Sequence, residues 1–239
     1  MTTDTILAAE SDKAPPIGFI LDRISPDFDV ELMTAKFYPT QPVPDRVKDP
    51  FHSLIREART LARPRAAFKI CRVEESLTGA CLDSVMFSGE LLRDNLAGLK
   101  WAYAFVATEG REMTEWAESL SGPMQFFAWP IRYAALKLAE KELVRFIKSN
   151  FGLKQVSSMN PGVLDLWPIE QQKPLFTLLA PLPETIGITL GDRLWMSPDL
   201  ASSGVLFASE SEFRNCQLCP VSPCVLRKKD YLGPDGWPK

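Results

Sequence analysis

The chain has 239 residues and a mass of 26.8 kDa, with 46% hydrophobic, 24% charged and 10% aromatic side chains. That is globular composition, and a chain this long buries roughly 70% of the surface it exposes when unfolded. The 27 basic residues against 30 acidic ones give a net charge of −3 and a pI near 5.4, which excludes the basic footprint of a nucleic-acid binder. The single histidine, His52, excludes His-rich metal sites and most nucleophile–histidine triads.

Residues 1–16 read as a polar, flexible lead ending in Pro15-Pro16. They carry acids and no basic n-region, so a signal peptide is not expected. A short strand fits residues 17–21. From Pro26 to Pro50 the density of proline, with Pro39, Pro42 and Pro44 between, predicts extended chain and no long helix. Leu54, Ile55, Ala58, Leu61 and Ala62 recur at helical spacing and predict a helix over 51–62. His52, at the expected start of that helix, is assigned packing or capping. Asp27, Asp29, Glu74 and Glu75 are read as solvated charges.

Residues 66–73 read as a strand, and 82–86 as a second. Ser88 is placed to cap a helix over 89–96. The nearly continuous apolar run of eight residues, 101–108, predicts a central strand buried on both faces. Helices follow over 112–119 and 123–150, the latter the longest, with Pro130 starting or kinking its regular part and Gly152 just past its end. Beyond Ser157 the expectation is loop, then a helix over 169–179, then a strand pair formed by 186–190 and 204–208. The alternation is irregular, so the class is α+β with one main domain. No apolar run reaches the roughly 18–20 residues of a membrane span, and the chain is expected to be cytoplasmic, with no membrane and no nucleic-acid partner.

In a reducing cytosol, cysteines serve as ligands or core thiols more often than as disulfides. The tail contains Cys216, Cys219 and Cys224 in C-x2-C-x4-C spacing, broken by Pro220 and Pro223 and surrounded by Arg214, Arg227, Lys228 and Lys229. Three thiolates on a tight loop make a soft face suited to an iron–sulfur cluster, with zinc, a disulfide or bare thiols as alternatives. A fourth ligand is available from Cys71, Cys81, Asp230 or an external group. Cys71 and Cys81 are otherwise read as core thiols.

The segment Asn160-Pro161-Gly162, followed by Trp167-Pro168 and by Gln171 ahead of Leu175-Phe176, resembles the activation (reactivation) domain of cobalamin-dependent methionine synthase in its short, stand-alone form. In the same order come Pro64-Arg-Ala, Phe87-Ser, Leu96-Ala-Gly98, Ala107-Thr-Glu-Gly110, Met196-Ser-Pro198 and Ser202-Ser-Gly204, and the cysteine tail closes the pattern. The likeness spans about residues 60–230. It implies a curved, helmet-like antiparallel sheet with surrounding helices. The division it implies is a 17–62 segment of strand, proline-rich chain and helix, an activation-like domain over 63–212, and a cysteine-rich metal-binding tail over 213–239.

That family binds S-adenosylmethionine through an Arg-x-x-x-Gly-Tyr motif, whose guanidinium clamps the methionine carboxylate. Here Ser158 stands at the arginine position and Val163 at the tyrosine position, leaving Asn160, Pro161 and Gly162 as the remnant. Ser158 supplies neither charge nor a fork of donors. The resemblance implies a partner, namely a corrinoid protein or cobalamin-dependent methyltransferase that carries the cobalamin. Three roles follow. The first is a redox accessory whose iron–sulfur cluster activates the partner's cobalamin. The second is a non-catalytic binding module with structural zinc or no metal. The third is an S-adenosylmethionine-dependent reactivase, which needs Arg132, Arg193 or Arg214 to restore the clamp in space. Trp129, Trp167 and Trp195 are candidates for a flat face under a planar ring, with packing on the sheet as the plainer assignment.

Overall fold

The computed structural model describes residues 18–37, 45–210 and 213–233. The expected flexible lead, and Pro39, Pro42 and Pro44, lie outside them. Seven strands form one antiparallel sheet: β1 (Gly18–Leu21), β2 (Arg65–Glu75), β3 (Gly79–Leu82), β4 (Val85–Ser88), β5 (Trp101–Thr108), β6 (Val156–Met159) and β9 (Ala201–Ala208). The order is β4-β3-β2-β5-β9-β6, and β2 is long enough to pair with β5 and, in succession, with β1 and β3. The architecture is α+β, as the irregular alternation predicts.

β5 is the central strand, held between β2 and β9. Its alternation separates two cores. Ala102, Ala104 and Val106 face a cluster that includes Phe87, Trp167, Phe207 and Phe213. Helices α3 (Glu90–Leu96) and α6 (Gln172–Leu179) complete that side. Tyr103, Phe105 and Ala107 face the other side, where α5 (Pro123–Phe151) lays Leu136, Ala139, Leu143 and Ile147 on the sheet. The earlier half of α5 turns Ala128, Ile131, Ala134 and Ala135 into a third cluster with α2 (Asp45–Leu61) and α4 (Arg111–Ser119). Gly152 ends α5 in the left-handed conformation, as its position suggests.

Several expectations give way. The proline-rich segment holds α1 (Val30–Phe37), capped by Asp29, whose Oδ1 accepts the Leu32 N–H at 2.8 Å. Asp29 is therefore a cap and not merely a solvated charge. Helix α2 begins at Asp45 and runs through Pro50. One proline removes one helical donor, and the burial of Phe51, Leu54, Ile55 and Ala58 outweighs that loss. His52 consequently lies in the helix interior, exposed, and caps nothing.

Residues 82–86 are not one strand: Leu82 ends β3, Asp83 and Ser84 form the hairpin turn, and Val85 and Met86 begin β4. Asp83 and Ser84 both have positive φ, the geometry of a two-residue primed turn, without the usual glycine. Asp83 is held there because its carboxylate accepts the Arg72 N–H at 2.8 Å and pairs with Lys69 at 3.1 Å. The cap of α3 is Gly89, with no side-chain bond from Ser88. The stretch around Ser157 is strand β6, and 186–190 does not pair with 204–208. Instead β7 (Thr189–Leu190) pairs with β8 (Met196–Ser197) in a separate ribbon, while β9 inserts between β5 and β6.

Gly204 of β9 brings β6 close. A Cβ there would stand 2.2 Å from the Met159 carbonyl oxygen and 2.9 Å from Asn160 Nδ2. The nearer atom is backbone and cannot turn aside. Gly204→Ala is expected to destabilise the fold by about 1–3 kcal/mol, read as a lower urea midpoint at unchanged slope.

Candidate functional site

The tail returns to the free edge of the sheet. Phe213 is fully buried and Leu218 nearly so, both in the Phe87–Trp167 core. Between these two anchors the chain runs beside β6, with a parallel bridge from Ser158 to Arg214, and then turns through a short 3-10 segment, Asn215–Gln217. The turn is closed by reciprocal bonds, since Arg214 N–H donates to Gln217 Oε1 and Gln217 N–H to the Arg214 carbonyl, both at 2.9 Å.

This docking brings together two features that are 55 residues apart in sequence. Arg214 Nη1 donates to Ser158 Oγ at 3.2 Å. Asn215 Nδ2 donates to Asn160 Oδ1 at 3.2 Å, and Asn160 Nδ2 in turn donates to the Ser203 carbonyl at 2.8 Å. A guanidinium of the tail thus stands beside Ser158, the residue that the resemblance sets at an arginine position. Of the three arginines that could restore a clamp, Arg132 is committed elsewhere, to Glu109, Thr114 and Asp199. Arg193 lies exposed in the turn between β7 and β8. Arg214 is the one that reaches Ser158.

The remnant of the motif is a built loop. Gly162 has φ +77°, and a Cβ would stand 2.5 Å from Ile169 Cδ1, so both the backbone angle and the space call for glycine. Its N–H donates to the Trp167 carbonyl at 2.8 Å. Pro161 is buried, while Val163 is half exposed. Trp167 is fully buried against Phe87, with ring centroids 6.3 Å apart and edge-on. Trp167 is therefore core and no part of an exposed aromatic face.

Behind the turn lies a charged column on α5. Trp129 stacks on Tyr133 at 5.2 Å, Lys137 Nζ lies 4.9 Å from the Tyr133 ring, and Lys137 pairs with Glu140 at 2.6 Å. Lys228 of the tail reaches the same Glu140 at 3.9 Å, and its N–H donates to Cys216 Sγ at 3.4 Å. Burial together with the neighbouring Lys137 and Arg214 charges pulls the Lys228 ammonium below its ordinary range. Burial also acts against the Lys137 ammonium, but Glu140 and Tyr133 outweigh it and hold it above its ordinary range. Burial raises the Tyr133 phenol.

The three tail cysteines are free and half-buried. Their loop is organised by Arg227, which donates to the carbonyls of Cys216 at 2.8 Å, Cys219 at 3.1 Å and Val221 at 2.5 Å. Cys219 packs against the core beneath. What converges on Arg227 is backbone oxygen. Among the described residues, no group of three or more His, Cys, Asp or Glu stands placed to hold a metal ion. Cys71 is buried in β2, its thiol pushed up to about 12, by burial first, and it remains an inert core thiol. Cys81 faces Met86 in the β3–β4 hairpin.

Sequence reasoning singled out both the motif remnant and the tail but not their contact. It missed Asn215, Ser203, Lys137, Glu140 and Tyr133, which reach the site only through the tertiary return of the chain. It also missed the buried ion network of Glu109, Arg132 and Asp199, for which no local spacing gives a signal.

The fold so defined is an open antiparallel sheet between helical layers, with a tail docked along the edge strand β6. No family model and no curated protein matches the sequence. Among solved structures, the crystal structure of the MetH reactivation domain bound to AdoHcy has this fold, with a TM-score of 0.57 and 12% identity over 84% of this chain and 83% of that one.

Proposed function

We propose that the chain is an accessory protein of corrinoid-dependent methyl transfer, capping the cobalamin of a partner and holding an S-adenosyl ligand by its carboxylate at Arg214. The observation that carries this reading is the return of a guanidinium to the eroded motif, on a fold shared with a domain solved with AdoHcy. S-adenosyl compounds end in an α-amino acid. Arg214 supplies charge-assisted donors for its carboxylate, and Asn160 and Asn215 supply amides beside it. The exposed loop around Val163 and the exposed ring of Trp129, stacked on buried Tyr133, give the remaining apolar and planar surface.

The partner supplies the cobalt chemistry, and this chain's part is to bind and orient. Arg214→Gln removes the charge while keeping an amide. It is expected to weaken S-adenosylmethionine or S-adenosylhomocysteine binding about tenfold or more, measured by titration calorimetry on the full chain. A wild-type chain that binds neither compound, and that fails to co-elute with a corrinoid methyltransferase, would sink the reading.

A second role, redox delivery to the partner's cobalamin, is favoured by three half-buried thiols on one loop beside Arg214, Arg227 and Lys228. The thiolate set suits an iron–sulfur cluster or zinc in its chemistry, but holding either requires the Arg227-tied loop to rearrange so that sulfurs replace carbonyls at its centre. Iron, acid-labile sulfide and zinc content of anaerobically purified protein decides this. Iron and sulfide near stoichiometry, lost in Cys216→Ala, Cys219→Ala and Cys224→Ala, supports the cluster. Zinc alone supports a structural site, and no metal leaves the binding role.

A further inference from the structure

One nitrogen of Arg132 meets more acceptors than it has hydrogens. Nη2 of a guanidinium carries two hydrogens, and here Glu109 Oε1, Thr114 Oγ1 at 3.0 Å and Asp199 Oδ1 all face it. Thr114 also reaches Glu109 Oε1 at 3.3 Å, so its hydroxyl has another use, and the contest lies between the two carboxylates. They stand in unequal settings. Glu109 is fully buried at the end of β5, whereas the Asp199 side chain, between β8 and β9, is 60% exposed. Glu109 Oε2 has no partner among the described residues, and a proton on that oxygen spares the fold a buried unpaired charge. A neutral Glu109 leaves the charge of Arg132 to Asp199. An ionised Glu109 draws the guanidinium to itself and repels Asp199, which can turn to water as Glu109 cannot. The other charges nearby are engaged elsewhere. Glu112 of α4 pairs with Arg65 of β2 at 2.9 Å, and Arg63 donates to the Thr60 and Ala62 carbonyls.

We propose that Glu109, Arg132 and Asp199 form a proton-controlled latch on the connection between β8 and β9. With Glu109 protonated, Arg132 holds Asp199 and the connection is closed onto α5. With Glu109 ionised, the guanidinium belongs to the buried carboxylate and Asp199 turns out to solvent. Met196 and Leu200, packed on the cores to either side, keep the movement local to residues 197–199. The adjoining backbone bond, from the Glu109 N–H to the Leu200 carbonyl, is long at 3.5 Å and yields first. Burial, with the Asp199 charge adding to it and Arg132 opposing, raises the Glu109 carboxyl to about 7, which sets the changeover near neutrality. The coupling is mutual. Ionised Glu109 weakens the hold on Asp199, and removing the Asp199 charge lets Glu109 ionise at lower pH by the same factor. None of the three residues belongs to the Asn160–Gly162 loop or to the cysteine tail, so the latch stands apart from the ligand site.

The test is NMR on the full chain, following the side-chain carboxyl carbons of Glu109 and Asp199 against pH, with amide hydrogen exchange at pH 6 and pH 8 corrected for its intrinsic pH dependence. In wild type the Glu109 carboxyl should titrate between these values and the Asp199 signal should shift with the same midpoint. The Glu109 amide should exchange about tenfold or more faster at pH 8, while the amides of 102–106 in β5 remain protected. Asp199→Asn, a change at an exposed side chain, should lower the Glu109 midpoint by about one pH unit, the counterpart of a tenfold coupling. Glu109→Gln should leave Asp199 held at both pH values, with no step in its signal. An Asp199 signal blind to the titration of Glu109, or a Glu109 midpoint unmoved in Asp199→Asn, overturns the latch. A rise in exchange that β5 shares in full also overturns it, because global unfolding then accounts for the change.

Discussion

Arg132→Ala is expected to cost the fold about 3–5 kcal/mol, because it strands a buried carboxylate. Glu109 follows the central strand and is fully buried. Its Oε1 accepts from Arg132 Nε at 2.8 Å and from Thr114 Oγ1 at 3.3 Å, while its Oε2 has no hydrogen-bond partner among the described residues. Asp199, on the segment between β8 and β9, shares the same guanidinium. One arginine therefore joins the end of β5, α4, α5 and the approach to β9. Burial raises the Glu109 carboxyl to about 7 from an ordinary 4.5, even with Arg132 holding it down.

The sign of the pH dependence follows. Between pH 4.5 and 7 folded Glu109 keeps a proton that the unfolded chain has released, so its contribution is full below 4.5 and declines as pH rises. At about 1.4 kcal/mol per pH unit the loss comes to about 3 kcal/mol and ends near pH 7. Urea unfolding at pH 5 and pH 8 should show wild type weaker at the higher pH and Glu109→Gln with that slope removed. In Arg132→Ala the carboxyl moves higher still, and the decline continues past pH 7. A wild type equally stable at both values, matched by Glu109→Gln, contradicts the assignment.

The parts of the fold legible in the sequence are those whose signal is local. The nearly continuous apolar run of 101–108 reads as a strand buried on both faces, and Gly152 marks the end of α5 because glycine enters the left-handed region without the cost a side chain brings. The illegible parts depend on partners. Ser157 and Ser158 read as loop, yet β9 supplies the ladder that makes them strand. Asp83 and Ser84 make a primed turn without glycine because Arg72 and Lys69 fix the carboxylate. Pro50 suggests a break that the core beneath α2 overrules. The site divides in the same way. Asn160, Gly162 and Cys216 stand out by spacing, and an arginine absent at 158 is visible at once. That Arg214 of the tail meets Ser158 is a fact of chain return, invisible at a separation of 56 residues.

Trp167 separates structure from binding most cleanly. It is fully buried, its ring meets Phe87 edge-on, its carbonyl accepts the Gly162 N–H and its own N–H donates to the Leu164 carbonyl at 3.0 Å. The residue therefore pins the loop that carries Asn160 and Gly162 onto the sheet. Trp167→Ala is expected to cost about 3–5 kcal/mol, through lost burial and the cavity left behind. Trp167→Phe is a gentler probe. It keeps an aromatic edge for Phe87 and removes an indole N–H that has no partner among the described residues, so the relief of an unsatisfied donor offsets part of the lost volume and the cost falls to about 1–2 kcal/mol. Ligand affinity measured below the unfolding transition should be nearly unchanged in Trp167→Phe, because the ring touches core and not solvent. Were Trp167 instead a platform for a planar ring, Trp167→Phe would lose affinity at little cost in stability, the opposite pattern. Titration calorimetry and urea unfolding on the one variant tell the two apart.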